Sequence, residues 1–102
     1  MLGVGVVRSI LVSDLMMLDN PTIVDVRAFY YYNLGHIEGA ISIPYYNLLN
    51  NYSHYLSRYH DYYLYCDTGR QSHDIVLRLS EFGYRVYDIV GGYKEYLRLF
   101  GD

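Results

Sequence analysis

An α/β layer sandwich, with a mainly parallel sheet covered by helices on both faces, is the fold class this sequence predicts. Short apolar runs rich in Val, Ile and Tyr alternate along the chain with segments of helical spacing. Several runs are apolar at nearly every residue, as strands buried on both faces are. The 102 residues fit one domain spanning 1–102 and leave no room for a second core of ordinary size.

Strands are expected at Val6–Leu11, Thr22–Val26, Ile41–Ile43, Tyr62–Tyr65 and Val86–Val90, each bounded by turn or polar residues. Ser13-Asp14 offers an N-cap to a short helix through Leu15-Met16-Met17-Leu18, closed by Asn20-Pro21. From Ser72 to Phe82, Ile75, Val76, Leu79 and Phe82 repeat at helical spacing, and Gly83 follows as a C-cap. A last helix over Tyr93 to Phe100 follows Gly91-Gly92 and places Tyr93, Tyr96, Leu97 and Phe100 on one face.

Composition excludes several classes. With 52% hydrophobic and 19% charged residues the chain folds rather than staying disordered. A formal charge of −3 without a basic run argues against a nucleic-acid partner. Leu2 to Val7 is too short for a membrane span and lacks the basic start of a signal peptide, so no membrane association and a cytoplasmic location are expected. The four histidines show no H-E-x-x-H spacing, and neither metal nor cofactor is expected. The 15 tyrosines, with runs at 30–32, 45–46 and 62–63, suit half-buried packing at the edge of a core better than a ligand-stacking platform.

Chemistry is expected where strands of such a sheet give way to helices. The single cysteine, Cys66, lies at such a junction, after the strand ending at Tyr65 and before the helix opening at Ser72. Unpaired amides at a helix start favour a thiolate, and Gly69 lets successive N–H groups turn inward around an anion. The plainer role for a free cysteine is that of a small buried hydrophobe; its place in this loop favours a reactive thiol. A phosphatase loop of the Cys-x5-Arg kind fails because that position is Ser72, and His73, inside the first helical turn, is badly placed to serve as a base.

Ile23-Val24-Asp25-Val26-Arg27, Gly35-His36-Ile37-Glu38-Gly39-Ala40 leading to Ile43-Pro44, Cys66-Asp67-Thr68-Gly69-Arg70-Gln71-Ser72, and Val90-Gly91-Gly92-Tyr93 stand in this order along the chain. Together they resemble the single-domain rhodanese family of sulfurtransferases, over about Ser9 to Phe100. The resemblance implies a rhodanese-like three-layer sandwich, with a five-stranded, mostly parallel sheet between helices. It implies a sulfane sulfur taken from a donor such as thiosulfate, held as a persulfide on Cys66, and passed to cyanide or to a small-molecule or protein thiol. Cys66 is then the catalytic residue, and Asp67, Thr68, Gly69, Arg70, Gln71 and Arg27 are the residues expected around substrate. Asp25 and Arg27 are expected to brace neighbouring loops, and His36 belongs to a structural segment.

The loop departs from the family pattern at its end. Many active members carry Arg at the fifth position after the cysteine, where this chain has Gln71, with Arg70 one position earlier. Gln donates hydrogen bonds but brings no charge to an anion. Asp67 adds a carboxylate beside the thiol: two unit charges about 7 Å apart at an effective dielectric near 40 repel by roughly 1 kcal/mol, comparable to the ~0.3–1 kcal/mol a helix terminus offers. Backbone amides, more than side-chain charge, are therefore expected to hold the anionic sulfur, and Asp74 is expected to serve the helix start. A catalytically weak module that binds a partner or carries sulfur is the alternative that Gln71 keeps open, and arsenate or phosphate chemistry needs a roomier loop.

Overall fold

The structure, a computed structural model, describes residues 7–101. Five strands, β1 (Ser9–Ile10), β2 (Ile23–Asp25), β3 (Ile41–Ser42), β4 (Asp61–Tyr65) and β5 (Arg85–Ile89), form one sheet in the order β1-β5-β4-β2-β3. All four pairings are parallel. Among the described residues α1 (Val12–Leu15), α2 (Phe29–Leu34), α3 (Tyr45–Asn50), α4 (Tyr52–Tyr55) and α5 (Arg70–Glu81) connect them, and α6 (Gly92–Phe100) follows β5.

Successive strand residues face opposite ways, so β2, β4 and β5 each feed two cores. Leu64, Cys66 and Val86 join Leu48, Ile75, Val76 and Leu79 on the α3–α5 face. Tyr65 and Ile89 join Val12, Leu15 and Ile37 on the face covered by α1 and α6, where Tyr32, Tyr93 and Tyr96 pack against them. The predicted three-layer α/β architecture is therefore the one observed.

Register decides where a site can form. Asp25 lies opposite Tyr65, and Leu64 opposite Asp88, so β2, β4 and β5 end nearly level. Parallel strands put those carboxyl ends on one edge, and the segments following Asp25, Tyr65 and Ile89 converge there.

Helix positions differ from expectation in instructive ways. The β1 pairing covers only Ser9–Ile10 of the expected Val6–Leu11 strand, whose first residue lies outside the described residues. α1 runs Val12–Leu15 rather than through Leu15-Met16-Met17-Leu18, because Val12 and Leu15 are buried while Met16, Met17 and Leu18 are exposed; neither Ser13 nor Asp14 caps it by its side chain. α5 starts at Arg70, two residues before Ser72, since Gly69 takes the left-handed conformation (φ 107°) that turns the chain into the helix. Asp74 consequently lies beyond the first turn, where it bonds Tyr45 and Arg78 instead of the helix start. Helices α2, α3 and α4 were not expected at all. Tyr45, Leu48, Leu49 and Tyr52 recur at helical spacing after Pro44 and pack on the α5 face, a pattern hidden by the abundance of tyrosine.

Leu79, fully buried on α5, joins that helix to the sheet. Leu79→Ala should lower the unfolding free energy by about 2–5 kcal/mol in urea titrations. A loss under about 1 kcal/mol would mean this helix face is not packed as described.

Candidate active site

Cys66 is the first residue past β4, and only 4% of its surface is exposed. The next three residues turn the chain, and α5 begins at Arg70. Two backbone amides aim at the sulfur: Gly69 N–H donates to Sγ over 3.2 Å and Ser72 N–H over 3.4 Å. Both belong to groups that a helix start leaves without intrahelical acceptors. A sulfur anion at Sγ thus meets direct N–H donors and the positive end of a twelve-residue helix.

Behind the sulfur lies a polar pair that sequence reasoning missed. Sγ is 3.5 Å from Ser72 Oγ, and the Ser72 hydroxyl donates to Asp88 Oδ1 over 2.6 Å. Asp88 is 6% exposed, and His73 Nδ1 stands 3.8 Å from its other oxygen. Burial pushes the Asp88 carboxyl above its ordinary range, against the opposing pull of Ser72 and His73. A signal was present in the sequence: Asp88 is the one acid inside the apolar run Val86–Val90.

Arg27 holds the neighbouring loops together. Its Nε and Nη2 donate to the Asp25 carboxylate, Nη2 also to the Gly35 carbonyl (2.7 Å), and Nη1 to Asp67 Oδ1 (3.3 Å). The guanidinium lies 4.3 Å from the centre of the Tyr93 ring. Burial opposes its charge, but Asp25 more than restores it, so Arg27 stays protonated. Tyr65 completes the set by donating to Asp25 Oδ2 and accepting from Ile37 N–H, and burial pushes its phenol well above the usual range.

The start of α6 fastens the cysteine loop from the other side. Tyr93 N–H donates to the Cys66 carbonyl and Lys94 N–H to that of Asp67. Gly92, at φ 61°, lies so close that a Cβ there would overlap both carbonyl oxygens.

The expected site residues divide around this loop. Asp67 and Gln71 line a groove with Arg27, Tyr31, Tyr45 and Tyr46. Thr68, Gly69 and Arg70 line a second concavity with His73, Asp88 and Gly91. Arg70 and Gln71 thus point to different sides, and both are exposed. Asp67 is 64% exposed and pairs with Arg27, which offsets part of the repulsion expected between its carboxylate and an anionic sulfur. His36 stacks on Tyr32 at 3.8 Å and bonds the Tyr32 carbonyl, a packing role. No cluster of three or more His, Cys, Asp or Glu able to hold a metal ion exists among the described residues.

The sequence profile of the Rhodanese-like domain matches residues 11–99. The chain belongs to this family. The rhodanese-like domain is also similar to solved structures: a rhodanese-related protein from Thermoplasma volcanium (29% identical, TM-score 0.85, 93% of this chain and 95% of that one), and a rhodanese-like domain protein from Staphylococcus aureus (25%, TM-score 0.78, 93% and 92%). It is 28% identical over 95 residues to the tRNA uridine(34) hydroxylase of Buchnera aphidicola subsp. Baizongia pistaciae (strain Bp), matching 85% of this chain and 30% of that protein. The rhodanese-like domain therefore spans under a third of that relative's length.

Because the folded state binds the Asp88 proton more tightly than an unfolded chain does, the associated stability is full in acid and is lost as pH rises through the folded-state value. Asp88→Asn, an uncharged mimic of the protonated acid, should gain stability over the parent as pH rises from about 3 to 8. Urea unfolding at several pH values measures this; an advantage that shrinks with rising pH would contradict the burial penalty.

Proposed function

We propose that this rhodanese-like domain is a sulfurtransferase. It moves a sulfane sulfur from a donor such as thiosulfate to a thiophilic acceptor, cyanide or a small-molecule or protein thiol, through a persulfide on Cys66. The observation that carries this reading is the pair of amides from Gly69 and Ser72 converging on the one sulfur at the start of α5. The Cys66 sulfur attacks the sulfane sulfur, a new S–S bond forms, and sulfite departs with the electron pair of the old one. The terminal sulfur of the persulfide bears the negative charge, and an acceptor nucleophile removes it to regenerate Cys66. Preorganised N–H donors stabilise such charge without reorganising as it develops.

Asp67, Thr68, Gly69, Arg70 and Gln71 are the residues proposed to surround substrate, with Arg27 holding Asp67 in place. A reducing compartment such as the cytoplasm suits a protein whose one thiol has to remain free. Among the described residues no helix is long and apolar enough to cross a membrane. The uridine chemistry named for the hydroxylase is not carried over, since most of that protein lies outside the match and this chain has no basic run to follow a phosphate backbone. Gln71 supports a second reading, a weakly catalytic binding or sulfur-carrier module, because the side chain at that position brings no charge to an anionic donor.

Incubation with thiosulfate should add one sulfur atom to the intact mass of the protein, removable by reductant. Cys66→Ser should abolish both this adduct and sulfur transfer to cyanide while the protein stays folded. Substantial turnover by the serine variant would refute the persulfide route, and an adduct without turnover would favour the carrier reading.

Gln71→Arg should raise kcat/KM for thiosulfate roughly tenfold if about 1.4 kcal/mol of new anion contact is realised. Arg70→Ala, on the other side of the loop, should change it less than about threefold. The reverse pattern in steady-state kinetics would make Arg70 the donor-binding cation.

A further inference from the structure

The sulfur attack described above leaves open where the thiol proton goes. Ser72 Oγ carries a single hydrogen, and two acceptors are near it: the Asp88 carboxylate at 2.6 Å and the Gly69 carbonyl at 3.4 Å. The shorter, charge-assisted bond takes it. Ser72 therefore turns a lone pair toward Cys66 Sγ, 3.5 Å away, and is able only to accept from it. That polarity fits a thiol. It becomes suited to an anionic sulfur once the hydrogen between Ser72 and Asp88 has moved.

We propose that Ser72 and Asp88 form a proton relay for Cys66. As Sγ attacks, its proton passes to Ser72 Oγ while the hydroxyl's own proton passes to Asp88 Oδ1. One bond to hydrogen breaks and one forms at the oxygen of Ser72, so the serine is unchanged, Asp88 ends neutral, and the negative charge has moved to sulfur. The Ser72 hydroxyl then points its hydrogen at Sγ and joins the two amides as a third donor. When the acceptor removes the sulfane sulfur, the same steps in reverse return the proton to Cys66. Asp88 never touches the substrate sulfur; it is a positioning residue acting through Ser72.

The surroundings favour this direction of transfer. Asp88 interrupts an apolar strand and is buried beside Ser72, itself fully buried, so its negative charge is poorly solvated and gains by neutralisation. The charged or titratable groups facing it are Cys66 beyond Ser72, His73 at 3.8 Å and Arg70 across the shared concavity. Among the described residues the neighbouring strand β1 places Ser9 opposite Asp88, and Arg8, whose carbonyl accepts from Asp88 N–H, has its guanidinium over the Tyr87 ring. On β4, Asp61 sits at the far end in a pair with Arg85, while Tyr63 and Tyr65 face the opposite core.

The relay serves the persulfide chemistry proposed above, but alkylation of Cys66 by iodoacetamide tests it without any sulfur donor. There Sγ bonds to carbon, iodide leaves with its electron pair, and the thiol proton goes to Asp88. The parent protein should react steadily below the ordinary thiol range near pH 8.5, down to the titration of Asp88. Asp88→Asn should slow alkylation at about pH 6 by at least tenfold and restore a rate that climbs with pH toward that range. Ser72→Ala should do the same, and the double variant should be no slower than either, because the pair acts as a unit. A rate in Asp88→Asn that equals or exceeds the parent's would overturn the relay, since that is what simple removal of a repelling charge produces. Additive losses in the double variant would overturn it as well. A protein that shows the acid-side loss yet takes no sulfur from thiosulfate would retain the relay and lose the sulfurtransferase reading.

Discussion

Arg27 carries a full charge with only 6% of its surface exposed, and the arrangement of the candidate site follows from how that charge is satisfied. Removing a guanidinium from water costs several kcal/mol unless its donors are met with good geometry. Asp25 meets two of its nitrogens, Gly35 and Asp67 take further bonds, and the ring of Tyr93 lies against it. Those partners come from the end of β2, the turn after α2, the cysteine loop and the start of α6. One buried cation therefore ties four segments, distant in sequence, at the carboxyl edge of the sheet. Replacing Arg27 with an apolar residue would strand Asp25, a worse outcome than removing both.

Much of this architecture was legible because parallel strands advertise themselves. Ile23-Val24 and Tyr62 to Tyr65 are apolar on both faces, Val86 to Ile89 is so except at Asp88, and α5 repeats its apolar residues at helical spacing. The short elements were less legible. α2 buries no residue fully and so leaves no strong periodic trace, while α3 buries only Leu48 and its half-buried tyrosines mask the spacing. Starts of helices shifted where burial of Val12 or the turn at Gly69 outweighed a capping signal. At the site, the loop itself could be read from local sequence, whereas the Ser72–Asp88 contact joins residues 16 apart that only the pairing of β4 with β5 brings together.

Tyrosine shows the same division between local and long-range information. Core-edge packing, the expectation for its rings, holds for Tyr63, Tyr93 and Tyr96 against the α1–α6 core, whereas Tyr30, Tyr31, Tyr46 and Tyr59 are exposed. What composition could not reveal is the use of the phenol oxygens. Tyr65 bridges Asp25 and Ile37, Tyr32 donates to the Ala40 carbonyl, and Tyr62 accepts from Ser57 N–H. Each ring fills apolar space while its hydroxyl satisfies a loop group that would otherwise be left without a partner.

The contact of Gly92 with the carbonyls of Cys66 and Asp67 has a bearing on motion. With the amides of Tyr93 and Lys94 bonded to those same carbonyls, displacing the cysteine loop from α6 breaks both hydrogen bonds. The two segments, 26 residues apart at Cys66 and Gly92, make up one cooperative unit, and its local unfolding costs whatever undocking the C-terminal helix costs. Rigidity of the backbone around the sulfur is thus coupled to the docking of α6, and whatever loosens that helix also frees the Cys66 and Asp67 carbonyls.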